Sequence, residues 1–290
     1  MAQRGHGLTQ VIRWISYLVA LGVTFAVGAA KPYLSSGDYA KYVQRLTCSV
    51  DDPDQDDKIR LKKVRYGTSG KGRPLFAHIV EPANSLNAKA RNVYILGAQH
   101  GDERNTKIVL DFFVRELATL SNDFRNRRRI IVIPNYNPDG YKRYHRLNAS
   151  NIDLNRDFPS ADGHEDAPRA PETAAFMKLL EKYPAYSMYN IHQPFRVVLY
   201  YPEDESFARP FSLLSDYPLG TGVGYPTPGS LGTYMREKKV PIITVELARH
   251  MKAAVAPYIF EEIRFALYYS AFGCIPKPAQ KSRIESYIAE

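Results

Sequence analysis

The chain has 290 residues, 44% of them hydrophobic and 24% charged, with 39 basic against 30 acidic side chains and a net charge of +9. That balance excludes a chain too polar to bury a core, and its length allows one large or two small domains. A basic surface favours anionic partners, but no recognition motif accompanies it and the only dense basic tract is 125–129, so nucleic acid is not an expected partner.

The first thirty residues stand apart. Arg4 and Arg13 are their only charges, and 14–30 is an uncharged, mostly apolar run ending in small residues. A basic start, an apolar centre and a small-residue end describe a secretory signal. The run is slightly short for a retained membrane anchor, which needs about 20 apolar residues. Signal, anchor and buried core helix are the three readings; the first two place the rest of the chain outside the cytoplasm, with a cleaved signal favoured. Without Arg4 and Arg13 the basic residues fall to 37 against 30 acids, a charge of +7.

A Ser-Ser-Gly-Asp start at 35–38 predicts a short helix to about Gln44. The acidic stretch 51–57 reads as a solvated linker. Strands are predicted near 62–66, 75–81 and 93–96, then an amphipathic helix over about 106–120 and a strand at 130–133. Pro171 opens a helix to Lys182, with proline in the first turn. Strands follow near 188–191, 197–201 and 242–245, then a helix over about 255–272. Arg125 to Arg129 is expected to cap a helix end or solvate a turn, and 141–145 to be surface loop. Alternating strands and helices predict an α/β fold: a single domain with a mixed, mostly parallel central sheet flanked by helices. The expected divisions are 1–30 as signal or anchor, 31–60 as an N-terminal arm with the acidic loop, 61–275 as the catalytic domain and 276–290 as a tail. Cys48 and Cys274 lie at the edges of that domain. They are either bonded, as an even count in an exported chain suggests, or two buried thiols.

The chemistry gathers at strand ends, where ligands bind in such sheets. Gly97-Ala98-Gln99-His100-Gly101-Asp102-Glu103 follows an apolar run and sets an imidazole and a carboxylate three residues apart. Two such ligands, a distant third histidine and an open fourth position are the usual catalytic zinc arrangement. His192 follows the run 188–191. Glu246 follows 240–245, where an unpartnered carboxylate costs desolvation; its functional reading is a general base taking a proton from the attacking water. Asn135 also sits just past a strand, and Asn137-Pro138-Asp139-Gly140 reads as a turn. Asn155-Arg156 suits a planar carboxylate.

In this order, His100-x-x-Glu103, Asn137-Pro138-Asp139-Gly140, Asp153-Leu154-Asn155-Arg156, His192 and Glu246 resemble the zinc metallocarboxypeptidases, and most closely the bacterial branch that includes murein-peptide amidases. The resemblance spans about 66–250. It implies that His100, Glu103 and His192 hold one zinc ion and that Glu246 is the base. Asn155 and Arg156 would grip the substrate's terminal carboxylate, Arg146 would steady the scissile carbonyl, and Asp153 would accept a hydrogen bond from His100. Leu231 falls at the family's specificity position, where an apolar residue argues against selection of lysine or arginine. Tyr225 is the carboxylate-gripping tyrosine by the same register. The digestive relatives have a cis bond after the histidine that matches His192, and Gln193-Pro194 provides one at low cost here. The implied function is release of a C-terminal residue from short peptides, foremost muropeptides at the γ-D-Glu–diaminopimelate bond, by an exported monomer. A general carboxypeptidase, a deacylase and a non-catalytic wall-binding relative are the alternatives.

Overall fold

The computed structural model describes residues 34–49, 59–83, 90–121, 124, 126–161, 168–222, 227–249 and 253–276. The apolar segment 14–30, the acidic stretch 51–57 and Tyr225 lie outside them. Among the described residues, no helix is long and apolar enough to cross a membrane.

One eight-stranded sheet organises the chain. Its strands are β1 (Leu61–Thr68), β2 (Pro74–Val80), β3 (Arg91–Leu96), β4 (Arg128–Ile133), β5 (Ala185–His192), β6 (Phe195–Tyr200), β7 (Leu219–Gly220) and β8 (Ile242–Ala248). Across the sheet the order is β1-β2-β4-β3-β5-β8-β6-β7. The inner four, β4, β3, β5 and β8, run parallel, while β1, β2 and β6 pair antiparallel at the flanks. The mixed, mostly parallel sheet is thus as expected.

The helices are α1 (Ser36–Arg45), α2 (Arg104–Leu117), α3 (Pro138–Arg143), α4 (Pro171–Lys182), α5 (Glu205–Ser215), α6 (Leu231–Glu237) and α7 (Ala256–Phe272). They cover both sheet faces, and the strands alternate to match. Val93 and Ile95 of β3 point into a core with α2, α5 and α7. Tyr94 and Leu96 point into the opposite core, with Phe176 of α4 and Met235 of α6. Side chains buried on both faces explain why the inner strands read as continuous apolar runs.

Two expectations need correction, and one open alternative is decided. Residues 138–143 form α3, because Asn137 caps it by accepting from Gly140 N at 2.9 Å; the loop expected at 141–145 begins only after Arg143. Of the basic tract, Arg128 and Arg129 belong to β4. There Arg128 donates to the Ser270 carbonyl at 3.0 Å, and Arg129 donates to Glu81 at 3.0 Å. Cys48 and Cys274 form a disulfide with a Cα–Cα distance of 4.9 Å. Thr47 bridges Ile275 alongside it, so the N-terminal arm is fastened to the end of α7.

Candidate metal centre and substrate cavity

Because β3, β5 and β8 are adjacent and parallel, the segments that follow them emerge on one edge of the sheet. His192 is the last residue of β5 and pairs in register with Glu246 of β8. After β3 the chain turns through Ala98, at φ 50°, to His100 and Glu103. Glu103 is the N-cap of α2, where the helix dipole favours a carboxylate.

That turn is seated on α3 backbone against backbone. A Cβ on Gly101 would lie 2.0 Å from the Gly140 carbonyl carbon, so only glycine fits. Asn137 donates to the Gln99 and Arg146 carbonyls at 3.3 and 3.2 Å. Asp139, fully buried, accepts from Lys71 N at 3.0 Å and pairs with Arg73. The Asn-Pro-Asp-Gly segment therefore builds the platform under His100 rather than a simple turn. Behind the turn, Asn190 donates to Gln99 at 2.9 Å and Gln99 donates to the Leu154 carbonyl at 3.1 Å. This buried chain joins β5, the His100 turn and the 153–156 loop.

His100, Glu103 and His192 converge, with one ligand atom from each within 4.8 Å of the others. The two Glu103 oxygens lie 2.7 Å from His100 Nδ1 and 2.9 Å from His192 Nδ1. On the far side of the His100 ring, Nε2 is 3.2 Å from Asp153 Oδ1, the carboxylate contact that orients zinc-binding histidines. Glu246 is 7% exposed, and its Oε2 is buried without a hydrogen-bond partner. Two imidazoles, one carboxylate and, beside them, an acid with one unpartnered oxygen are the donor set of a catalytic zinc site with an open position, and the residues fit one zinc ion.

The electrostatics agree. Burial opposes protonation of His100, but the Glu103 and Asp153 carboxylates outweigh it and raise its pKa to about 9. Burial likewise opposes ionisation of Glu103, yet the two imidazoles hold it well below the usual carboxylate range. Burial pushes His192 down. Burial, and then the Glu103 charge, push Glu246 well above the ordinary range, as suits a base poised near neutrality.

These groups open into a cavity of about 510 Å³ that Arg146, Asn155 and Arg156 also line. Arg146 Nε donates to Asp153 Oδ2 at 3.1 Å, and its Nη1 lies 3.2 Å from His100 Nδ1. Asn155 Oδ1 accepts from Leu231 N at 3.0 Å, which ties the 153–156 loop to the start of α6. Leu231 itself is fully buried in the α4–α6 core. Its backbone, not its side chain, meets the site, so the specificity position expected there is corrected: Gly232, Thr233 and Arg236 line the cavity instead. Sequence reasoning missed these three. Ser230 caps α6 by accepting from Thr233 N, and reading that cap would have placed them on one helix face. The peptide bond Gln193–Pro194 is cis. Asn135 does not line the cavity, and its Oδ1 is buried without a partner.

Residues 49–256 match the zinc carboxypeptidase family. The chain is 30% identical to murein peptide amidase A of Escherichia coli over 203 residues, covering 62% of this chain and 79% of that protein. The crystal structure of the Escherichia coli murein-tripeptide amidase superimposes with a TM-score of 0.58 at 26% identity, over 76% of this chain and 95% of that one. Carboxypeptidase A from Helicoverpa armigera shares the fold, with a TM-score of 0.61 at 17% identity, over 93% and 82% of the two chains. The match extends over most of the chain and takes in every zinc ligand and the buried acid beside them. This chain therefore belongs to the zinc carboxypeptidase family.

Proposed function

We propose that this protein is an exported amidase and carboxypeptidase of murein peptides, releasing diaminopimelate from the γ-D-Glu–diaminopimelate bond. The observation that carries this reading is the cavity itself: a zinc-type centre beside three guanidinium groups, Arg146, Arg156 and Arg236. A substrate rich in carboxylates suits such a cavity, and a muropeptide ending in diaminopimelate has several. The likeness to murein peptide amidase A supports the same choice. The disulfide supports an oxidising compartment, consistent with residues 1–30 as a cleaved signal.

In this reading Arg156 and Asn155 bind the terminal carboxylate. Among the described residues Arg156 has no acidic partner; its recorded hydrogen bond is to the Asn155 carbonyl. Bound zinc supplies Lewis acidity that makes a water acidic near neutral pH. Glu246 takes that water's proton and later passes it to the departing amine. Arg146, held by Asp153, faces the oxygen on which negative charge develops.

The test incubates the purified zinc-loaded protein with defined muropeptide tri- and tetrapeptides and reads products by mass spectrometry. The expected products from the tripeptide are free diaminopimelate and L-Ala-D-Glu. Brisk release of arginine from ordinary L-peptides, with none from muropeptides, would overturn the reading in favour of a general carboxypeptidase.

A further inference from the structure

We infer that Arg236 is the specificity residue of this cavity and that it reads a distal carboxylate on the side chain of the substrate's C-terminal residue. The inference rests on the function proposed above and names the chemical group that the site selects.

Arg236 lies in the last turn of α6 and lines the cavity. Its guanidinium is fixed from two sides. Nε donates to Glu203 Oε1 at 2.7 Å, and the group lies over the Tyr201 ring at 4.8 Å from its centre. Among the described residues its two terminal nitrogens have no hydrogen-bond partner. A guanidinium held through Nε presents that free pair as a fork for a carboxylate.

The carboxylates lining the cavity are Glu103 and Glu246, both at the zinc centre. Glu203, already paired with Arg236 Nε, is not among the residues that line the cavity, and the other polar lining at the start of α6 and just before it, Thr227, Ser230 and Thr233, is uncharged. A cationic side chain entering there meets a guanidinium, whereas an anionic one meets a partner.

The separation of the two backbone positions suits a long side chain. The start of α6 touches the terminal-carboxylate clamp through Leu231 N and Asn155. Arg236 follows five residues later, about 7.5 Å along the helix axis. In diaminopimelate the distal carboxyl carbon is five bonds from the α-carbon, roughly 6 Å when extended. Aspartate and glutamate side chains fall short of that reach.

The experiment uses two peptides that differ by this one carboxylate: L-Ala-γ-D-Glu-meso-diaminopimelate and L-Ala-γ-D-Glu-L-lysine. The zinc-loaded protein should favour the first by about tenfold to a hundredfold in kcat/KM, the range of a charge-assisted hydrogen bond. Arg236→Ala should bring the ratio close to one, and Arg236→Lys should keep part of it. Glu203→Gln should lower it without abolishing it, since Glu203 positions the guanidinium. Both side chains of the ion pair are more than half exposed, at 54% and 51%, so the substitutions do not open the core. Equal rates in the unsubstituted protein, or a ratio that survives in Arg236→Ala, would overturn the inference while leaving the wall-peptide reading intact. If neither peptide is cleaved, the wall-peptide reading fails. Calorimetric binding of free meso-diaminopimelate against L-lysine then decides the role of Arg236, with preference for the first supporting it and equal binding overturning it.

Discussion

His192 and Glu246 are partners in register across the parallel strands β5 and β8. One residue of the candidate zinc triad and the proposed base are therefore spaced by the sheet ladder, not by a loop. A slip of one residue in either strand would turn one of the two side chains to the opposite face. Placement on rigid strands holds such groups more precisely than loops do.

Glu246→Gln should retain zinc and lose hydrolysis by roughly 10²–10⁴-fold, because the amide keeps the size of the acid and cannot accept a proton. Metal content by atomic absorption and turnover on one peptide check both halves. Near-normal turnover with metal bound would show that another group acts as the base.

Zinc affinity should rise with pH. In the zinc-free protein the raised pKa of His100, about 9, keeps its imidazole protonated at neutral pH, and an imidazole must be neutral to bind metal. Each zinc ion therefore displaces at least one proton, and affinity should climb about tenfold per pH unit between roughly pH 6 and 8. Chelator competition across that range measures the slope. A flat profile would mean that His100 is already neutral.

Gly101→Ala should cost stability and metal together. Its Cβ would meet the α3 backbone at 2.0 Å, and backbone cannot move aside as a side chain can. Overpacking of this kind costs about 1–3 kcal/mol, and the shift is delivered straight to His100. Thermal denaturation and zinc content should both fall. Wild-type values for both would show that the two turns do not press together.

Arg156→Ala should raise KM and lower kcat at once, since in the proposed function the residue both binds the terminal carboxylate and orients the scissile bond. Peptides with an amidated C-terminus should be poor substrates for the unsubstituted protein. Equal rates on free and amidated termini would remove the clamp from Asn155 and Arg156.

Much of this centre was legible in the sequence because parallel strands report themselves as apolar runs and their ends carry the chemistry. His100, His192 and Glu246 each follow or close such a run, and adjacency of β3, β5 and β8 brings them together. What escaped the sequence depends on partners far along the chain. Asn190 and Gln99 meet across 91 residues, and neither residue signals the other. The Asn-Pro-Asp-Gly segment has the composition of a turn, and only its contacts with 98–101 show it to be a helix start and a platform. No element was expected over 205–215, where α5 forms with Pro210 inside it. Leu231 was misplaced because register along the chain does not say whether backbone or side chain faces a cavity.

The bond between Cys48 and Cys274 joins positions 226 residues apart, and every residue assigned to the zinc centre and the cavity lies between them. A protease that cuts an exposed segment inside that span makes two pieces that are still one covalent molecule. For the exported protein proposed above, this means that a nicked chain keeps its fragments in place. Its signature is a single band on a denaturing gel that splits only when a reductant is added.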